Sequence, residues 1–177
     1  MRYVRIPDER VGVLIGPSGE TKKTIEEQAR IKLEIDSQSG EVIFNEQDLA
    51  DPILLFKLEN LIRAIGRGFS PEHAIMLLSD EMDFFIFDLH DYVGKRQSQV
   101  QRLKSRVIGT HGKTRRHLEE ITNSYISIYG HTVSVIGSII EIDITKKAID
   151  KLLSGSKHAS VYKYVEKQMK KLRFQGL

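Results

Sequence analysis

The stretch Val107-Ile108-Gly109-Thr110-His111-Gly112-Lys113-Thr114-Arg115-Arg116 decides how this chain is read, because a similar stretch stands 93 positions earlier. The earlier copy is Leu14-Ile15-Gly16-Pro17-Ser18-Gly19-Glu20-Thr21-Lys22-Lys23. Downstream the match continues, with Ile25 over Leu118, Glu26-Glu27 over Glu119-Glu120, Leu33 over Ile126 and Ile35 over Ile128. Two copies this far apart indicate a duplicated domain and not a solenoid, whose units recur every ~20 to 50 residues.

Working outward from each Gly-x-x-Gly, the two copies have the same layout. In the first, Tyr3 to Ile6 alternates as a strand does, and Val11, Leu14 and Ile15 form a short helical stripe ending at Gly16. A second helix after Gly19 carries Thr21, Ile25 and Ala29 at four-residue spacing. Leu33 and Ile35 alternate with charged residues as in a half-buried strand, Ser37 to Gly40 turns, and Val42 to Phe44 is a further strand. Asp51 followed by Pro52 marks a helix start, and Leu54, Leu58, Leu61, Ile62 and Ile65 give that helix its apolar face up to Gly66 and Gly68.

Ser70-Pro71-Glu72 is another cap and first turn, so the spacing predicts a bridging helix from Pro71 to about Ser79. The second copy opens with a strand over Phe84 to Leu89. Its first helix is lined by Val100, Leu103 and Val107, and its second by Thr114, Leu118 and Ile121. Ile126, Ile128, Val133 and Val135 supply two strands around a Gly130-His131 turn. Ser138-x-x-Glu141 reads as a capping box for a helix with Ile140, Ile144, Ala148 and Leu152 on its face, closed by Ser154-Gly155. The tail predicts one more amphipathic helix, with Val161, Tyr164, Val165, Gln168 and Leu172 on one side.

Strand, helix, helix, strand, strand, helix, with Gly-x-x-Gly between the adjacent helices, is the order of the eukaryotic-type KH module. The predicted class is therefore α+β, two tandem type I (βααββα) KH domains with an inter-domain helix and a C-terminal helix. The boundaries read 1–68 for the first KH domain, 69–82 for the bridging helix, 83–155 for the second KH domain and 156–177 for the tail.

A helix start presents N–H groups without intrahelical partners and the positive end of the helix dipole, which suits an anion. Glycines at both ends of such a loop permit a tight turn and let the backbone approach phosphates, as KH loops do when they clamp about four nucleotides. The expected RNA-binding residues of the second domain are Gly109, Thr110, His111, Gly112, Lys113, Arg115 and Arg116, with Arg102, Lys104 and Arg106 on the approach. Val107, Ile108, Ile126 and Ile128 are the candidates for base contact, and they suit a plain core equally well. Tyr125 and Tyr129 alternate with the two isoleucines and face the other side of the strand. In the first loop Pro17 has no N–H to donate and no residue is charged, so Gly16, Pro17, Ser18, Gly19, Lys22 and Lys23 form the weaker site.

Charge divides the chain in the same sense. Residues 1 to 90 carry 10 Lys+Arg against 17 Asp+Glu, and the remainder 17 against 7, within an overall net charge of +3. No acidic residue occurs from Tyr92 to Leu118, while eight basic ones do, which makes a track for a phosphate backbone. Zero cysteines removes disulfides and thiolate metal sites. The N-terminus has no signal-peptide run and no apolar stretch approaches the ~20 residues needed to span a bilayer, so a cytoplasmic protein is expected.

The chain as a whole resembles the small-subunit ribosome-assembly KH proteins known as partners of the Nob endonuclease, in their short archaeal form. Its most specific likenesses are Gly68-Phe69-Ser70-Pro71-Glu72-His73-Ala74, Val135-Ile136-Gly137-Ser138 leading into the last KH helix, and Leu153-Ser154-Gly155-Ser156 leading to Val161-Tyr162. That resemblance implies binding to the 3'-end region of small-subunit ribosomal RNA, with the nuclease that trims that end as a protein partner. The family usually pairs a degenerate first KH domain with a working second one, whereas both loops here keep their glycines.

Other functions find less support. The six histidines show no metal-ligand spacing, and neither a P-loop, a Rossmann fingerprint nor a nucleophile elbow is present. Asp80, Glu81 and Asp83 read as a polar boundary before the Phe84 strand and not as a nuclease metal cluster. The expectation is thus a protein without catalytic residues, metal, cofactor, small-molecule substrate or membrane. The alternative is a protein-protein adaptor that uses the KH folds partly as scaffold, its acidic first half docking a basic partner, or, within the RNA class, an exosome- or translation-linked KH adaptor that only the family resemblance separates.

Overall fold

The computed structural model describes residues 1–45 and 51–176 and divides into two compact units, Met1–Met82 and Asp83–Leu177. In the first, β1 (Arg2–Arg5) leads to α1 (Asp8–Ile15), a single 3-10 turn over Pro17–Gly19, and α2 (Glu20–Ala29). β2 (Leu33–Asp36), β3 (Glu41–Phe44) and α3 (Pro52–Gly66) follow, then the short α4 (Pro71–Ile75) with a 3-10 turn over Met76–Leu78. β3 is the centre of an antiparallel sheet ordered β1-β3-β2, with Val42 opposite both Val4 and Ile35. Alternation puts Val4, Leu33, Val42 and Phe44 on the face that the helices cover with Leu14, Ile25, Leu58 and Ile62, all buried.

Local chemistry explains the element ends. Asp51 accepts a hydrogen bond from the Ile53 N–H (2.9 Å) with Pro52 at the first helical position, and Ser70 does the same for His73 ahead of Pro71. Each such cap is worth ~1 kcal/mol. The buried face of α3 is Leu55, Leu58, Leu61, Ile62 and Ile65, so Leu55 takes the place expected for Leu54. α4 belongs to the first unit: the Lys57 ammonium donates to the Leu78 carbonyl (3.3 Å) and pairs with Asp80, one of the three carboxylates before the Phe84 strand.

The second unit contains β4 (Met82–Asp88), a short α5 (His90–Val93) that the sequence pattern does not announce, α6 (Gln97–Ile108), a 3-10 turn over Thr110–Gly112 and α7 (Lys113–Thr122). β5 (Tyr125–Tyr129), β6 (Thr132–Ser138), α8 (Ile142–Leu153) and α9 (His158–Gln175) complete it. The sheet order is β4-β6-β5, the same as in the first unit. Its core joins Leu103, Leu118, Val133, Val135, Ile149 and Leu152 to Val161, Val165 and Met169 of α9. The tail helix is thus part of this domain's core, and each of its buried side chains contributes roughly 1.5–3 kcal/mol by leaving water. Met169 stands where the pattern suggested Gln168.

One predicted boundary moves. β6 runs through Ser138, and α8 starts only at Ile142. Ser138 and Glu141 do bond reciprocally, side chain to side chain (2.9 Å) and Glu141 N–H to Ser138 Oγ (3.1 Å), but inside the turn that precedes the helix. Ile140, expected on the apolar face, is 68% exposed, and the buried face begins at Ile142 and continues through Thr145, Ala148, Ile149 and Leu152. β6 thus continues past Ile136, its last partner on β5, and extended backbone through Ser138 leaves no room for the earlier helix start.

Two tandem α+β units of the βααββα type therefore carry the two Gly-x-x-Gly loops at equivalent places.

Candidate nucleic-acid interface

Both loops have the same backbone. Gly16 (φ 74°, ψ 172°) and Gly109 (φ 72°, ψ 177°) end the preceding helix, Ser18 (φ 52°) and His111 (φ 50°) sit in the left-handed region, and Gly19 and Gly112 (φ 78° and 75°) open the next helix. The first glycine is required twice over, by its φ and by space. A Cβ on Gly16 would lie 2.2 Å from Thr21 Oγ1, and one on Gly109 2.2 Å from Thr114 Oγ1. At Gly19 nothing crowds the position, so only the positive φ favours glycine there.

A second shared device fixes the helix after each loop. Glu26 Oε1 accepts the Leu33 N–H (2.8 Å) and Glu119 Oε1 the Ile126 N–H (2.7 Å), so a carboxylate on the second helix holds the start of the next strand in each domain. An arginine from the first helix likewise clips the end of the third. Arg10 donates to the carbonyls of Ile65 and Phe69 (both 2.7 Å), and Arg106 to those of Leu152 (2.8 Å) and Ser156. Arg106 is therefore a fold-holding residue. Its Nε and Nη2 donate to two backbone oxygens, so the side chain serves the fold before any phosphate, although it lines the cleft beside Gly109 that the basic run suggested.

The charges around the loops differ. Neither α2 nor α7 has a side-chain cap, but α7 has no acid in its first turn, which begins Lys113-Thr114-Arg115. α2 begins with Glu20, whose carboxylate occupies the favourable position at the positive helix end. Thr110, His111, Lys113, Arg116 and Arg102 are exposed, and Lys104 and Arg115 half-buried. Arg116 donates from Nη2 to the His111 carbonyl (2.8 Å), bracing the loop from below. Arg115 lies 3.8 Å from Glu119 Oε2, and its Nε has no hydrogen-bond partner among the described residues. In the first domain Lys22 and Lys23 each face a carboxylate one turn on, Glu26 and Glu27 (both 3.9 Å), while Pro17 and Ser18 are exposed and uncharged.

Two of the four residues named for base contact do not reach the surface. Val107 is fully buried between helices and Ile126 is 3% exposed, both within the core cluster. They sit on the inward face of α6 and β5, where the same periodicity that nominated them buries them. Ile108 and Ile128 are half-buried and keep apolar surface. Tyr125 and Tyr129 are half-buried too.

The tail helix supplies neighbours that local pattern did not suggest. Beside Gly109 a cavity of about 580 Å³ is lined by Arg102, Arg106, Thr110, Lys113, His158 and Tyr162, among others. Tyr162 donates to Thr114 Oγ1 (3.0 Å) and packs edge-on against His117 (4.5 Å between ring centres), and His158 Nε2 lies 2.8 Å from the Arg106 carbonyl oxygen. A chain of contacts thus runs from α9 through Thr114 to the glycine that Thr114 restricts.

Fold and loops together define a tandem KH protein. Residues 83–170 match the family model of the second PNO1 KH domain, described as a eukaryotic type KH-domain (KH-domain type I), and residues 1–48 match the general KH domain. A KH domain-containing protein of Methanocaldococcus jannaschii is 43% identical over 173 residues, covering 98% of this chain and 76% of that protein. Dim2p of Pyrococcus horikoshii superposes with a TM-score of 0.85 at 44% identity, over 94% of this chain and 98% of that one. A chain from the Pyrococcus horikoshii complex of a/eIF2alpha, aDim2p and rRNA gives a TM-score of 0.86 at 43% identity, over 96% and 94%. A protein of unknown function from Aeropyrum pernix gives 0.92 at 34% identity, over 99% and 93%. This chain belongs to the archaeal two-KH-domain ribosome-assembly family of the Dim2p and PNO1 type. No helix among the described residues is long and apolar enough to cross a membrane.

Proposed function

We propose that this chain is a ribosome-biogenesis factor that holds single-stranded RNA, without chemical change, in the second KH domain, and that the RNA is the 3'-end region of small-subunit ribosomal RNA. The observation that carries the reading is that α7 starts without a carboxylate in its first turn, with Lys113 and Arg116 exposed beside Gly109–Gly112, where α2 starts with Glu20. The phosphates would lie along Gly109, Thr110, His111, Gly112 and Lys113, with Arg102 and Lys104 on the approach, and bases against Ile108 and Ile128. Arg115 would join when its Glu119 contact yields. Support for the RNA also comes from the relative that occurs in a complex with rRNA.

The first domain, with Glu20 at its helix start, serves mainly a protein partner, the Nob-type endonuclease being the candidate, and Gly16, Pro17, Ser18, Gly19, Lys22 and Lys23 remain the weaker RNA site. Fluorescence anisotropy with labelled RNA of the archaeal small-subunit 3'-terminal sequence tests the reading. Tight, salt-sensitive binding with the RNA recovered intact in Mg²⁺ is expected. Affinity no better than for an unrelated single strand would remove the ribosomal assignment.

A further inference from the structure

Two of the six histidines, His90 and His131, are 41 positions apart in sequence yet meet beside Asp88, away from both loops. Asp88 ends β4, His90 starts α5 and His131 occupies the two-residue turn between Tyr129 and Thr132. One backbone bond and one bond to the Asp88 carboxylate hold the three together. The Leu89 N–H donates to the His131 carbonyl (2.8 Å), and the His90 N–H to Asp88 Oδ1 (2.9 Å). The two imidazoles stack at 4.3 Å with planes 11° apart.

One carboxylate faces both rings. Asp88 Oδ1 is 3.4 Å from His90 Nδ1 and Asp88 Oδ2 is 3.7 Å from His131 Nε2, and one donor atom from each residue lies within 4.8 Å of the others. Two donors on a tetrahedral zinc ion, each bonded at ~2.0–2.1 Å, stand about 3.3 Å apart. The donor atoms are near enough, but an imidazole lone pair lies in its ring plane, so the two stacked rings must turn well out of parallel before both nitrogens and the carboxylate converge on one ion. The side chains are partly exposed, so an ion could enter and keep water at its remaining position.

We propose that Asp88, His90 and His131 form a binding site for one divalent transition-metal ion of borderline softness, which staples the end of β4 to the β5–β6 turn. Two imidazoles with one carboxylate suit zinc, cobalt or nickel and not magnesium or calcium, which prefer all-oxygen sets. This site is independent of the RNA reading.

Calorimetric titration of the full chain with zinc chloride tests it, using the metal alone as probe. One equivalent should bind, and magnesium should give no isotherm. His131→Ala, His131→Gln and Asp88→Asn should each weaken zinc at least tenfold, while His73→Ala leaves it unchanged. Cobalt(II) should give a visible d–d band that zinc abolishes. Absence of a zinc isotherm in the parent, or folded His131→Ala and His131→Gln proteins that bind within twofold of it, would overturn the proposal and leave Asp88 as only a hydrogen-bond acceptor for imidazole.

Discussion

The loops at Gly16–Gly19 and Gly109–Gly112 share a backbone and differ in charge. Their φ values agree within a few degrees, and each first glycine is confined by a threonine at the same 2.2 Å. What differs is the residue that opens the following helix, Glu20 against Lys113, and the pairing of the cations behind it. Conformation in this fold is set by sterics that any functioning or silent copy must satisfy. Ligand choice is set by a few side chains that the sterics leave open. Retained glycines are therefore a record of the fold and say little about whether a loop still grips phosphate.

The comparison is most severely tested by putting negative charge into the loops. Thr110→Asp with His111→Asp should lower RNA affinity about a hundredfold or more, roughly 3 kcal/mol for like charges in a partly dry site. Pro17→Asp with Ser18→Asp should change it less than about threefold, ~0.6 kcal/mol on the same scale. Equal losses in anisotropy titrations would abolish the ranking of the two loops.

The shared sterics make a complementary claim about stability. Gly16→Ala and Gly109→Ala should each destabilise their own domain by about 2–3 kcal/mol, through the Cβ clash and the positive φ together. Urea denaturation followed by a probe in each unit would show similar costs, and a cost at one loop alone would mean the backbones are not equivalent in solution.

Exchanging the helix openers sharpens the electrostatic half. Lys113→Glu should weaken RNA by roughly tenfold and Glu20→Lys should strengthen the first domain's contribution, an effect of ~1 kcal/mol at a helix start. A smaller change belongs to Arg116→Gln, which should reduce the slope of log affinity against log salt by about 0.7 if the side chain meets one phosphate of a single strand. Arg106→Gln should leave that slope unmoved, because its guanidinium serves Leu152 and Ser156.

Much of the fold was legible in the residues because strands and helices leave periods in the chain. The duplicated order of elements, Asp51 and Ser70 as caps, and the buried stripe Val100, Leu103 and Val107 all followed from spacing. The candidate site was legible as a loop and only loosely as a set of side chains. Periodicity says that Val107 and Ile126 share an apolar face, yet it cannot say whether that face meets a base or the core, and here it meets the core. A count of eight cations treats them alike, whereas Arg106 is bonded to two carbonyls and Arg115 leans on Glu119. Ser138-x-x-Glu141 formed its bonds but not at a helix start, since β6 extends through Ser138 and the helix begins only at Ile142.

By itself, then, the sequence determined the architecture, the loop glycines and the sense of the charge asymmetry, all of which are short-range or additive properties of the chain. Tertiary structure alone decided which cations are spent on the fold, that Tyr162 and His158 of the tail stand beside Gly109, and that Asp88, His90 and His131 form one cluster. Those outcomes depend on which strand pairs with which and where a helix docks. Pairing and docking join residues far apart in sequence, and spacing along the chain carries no trace of such distances.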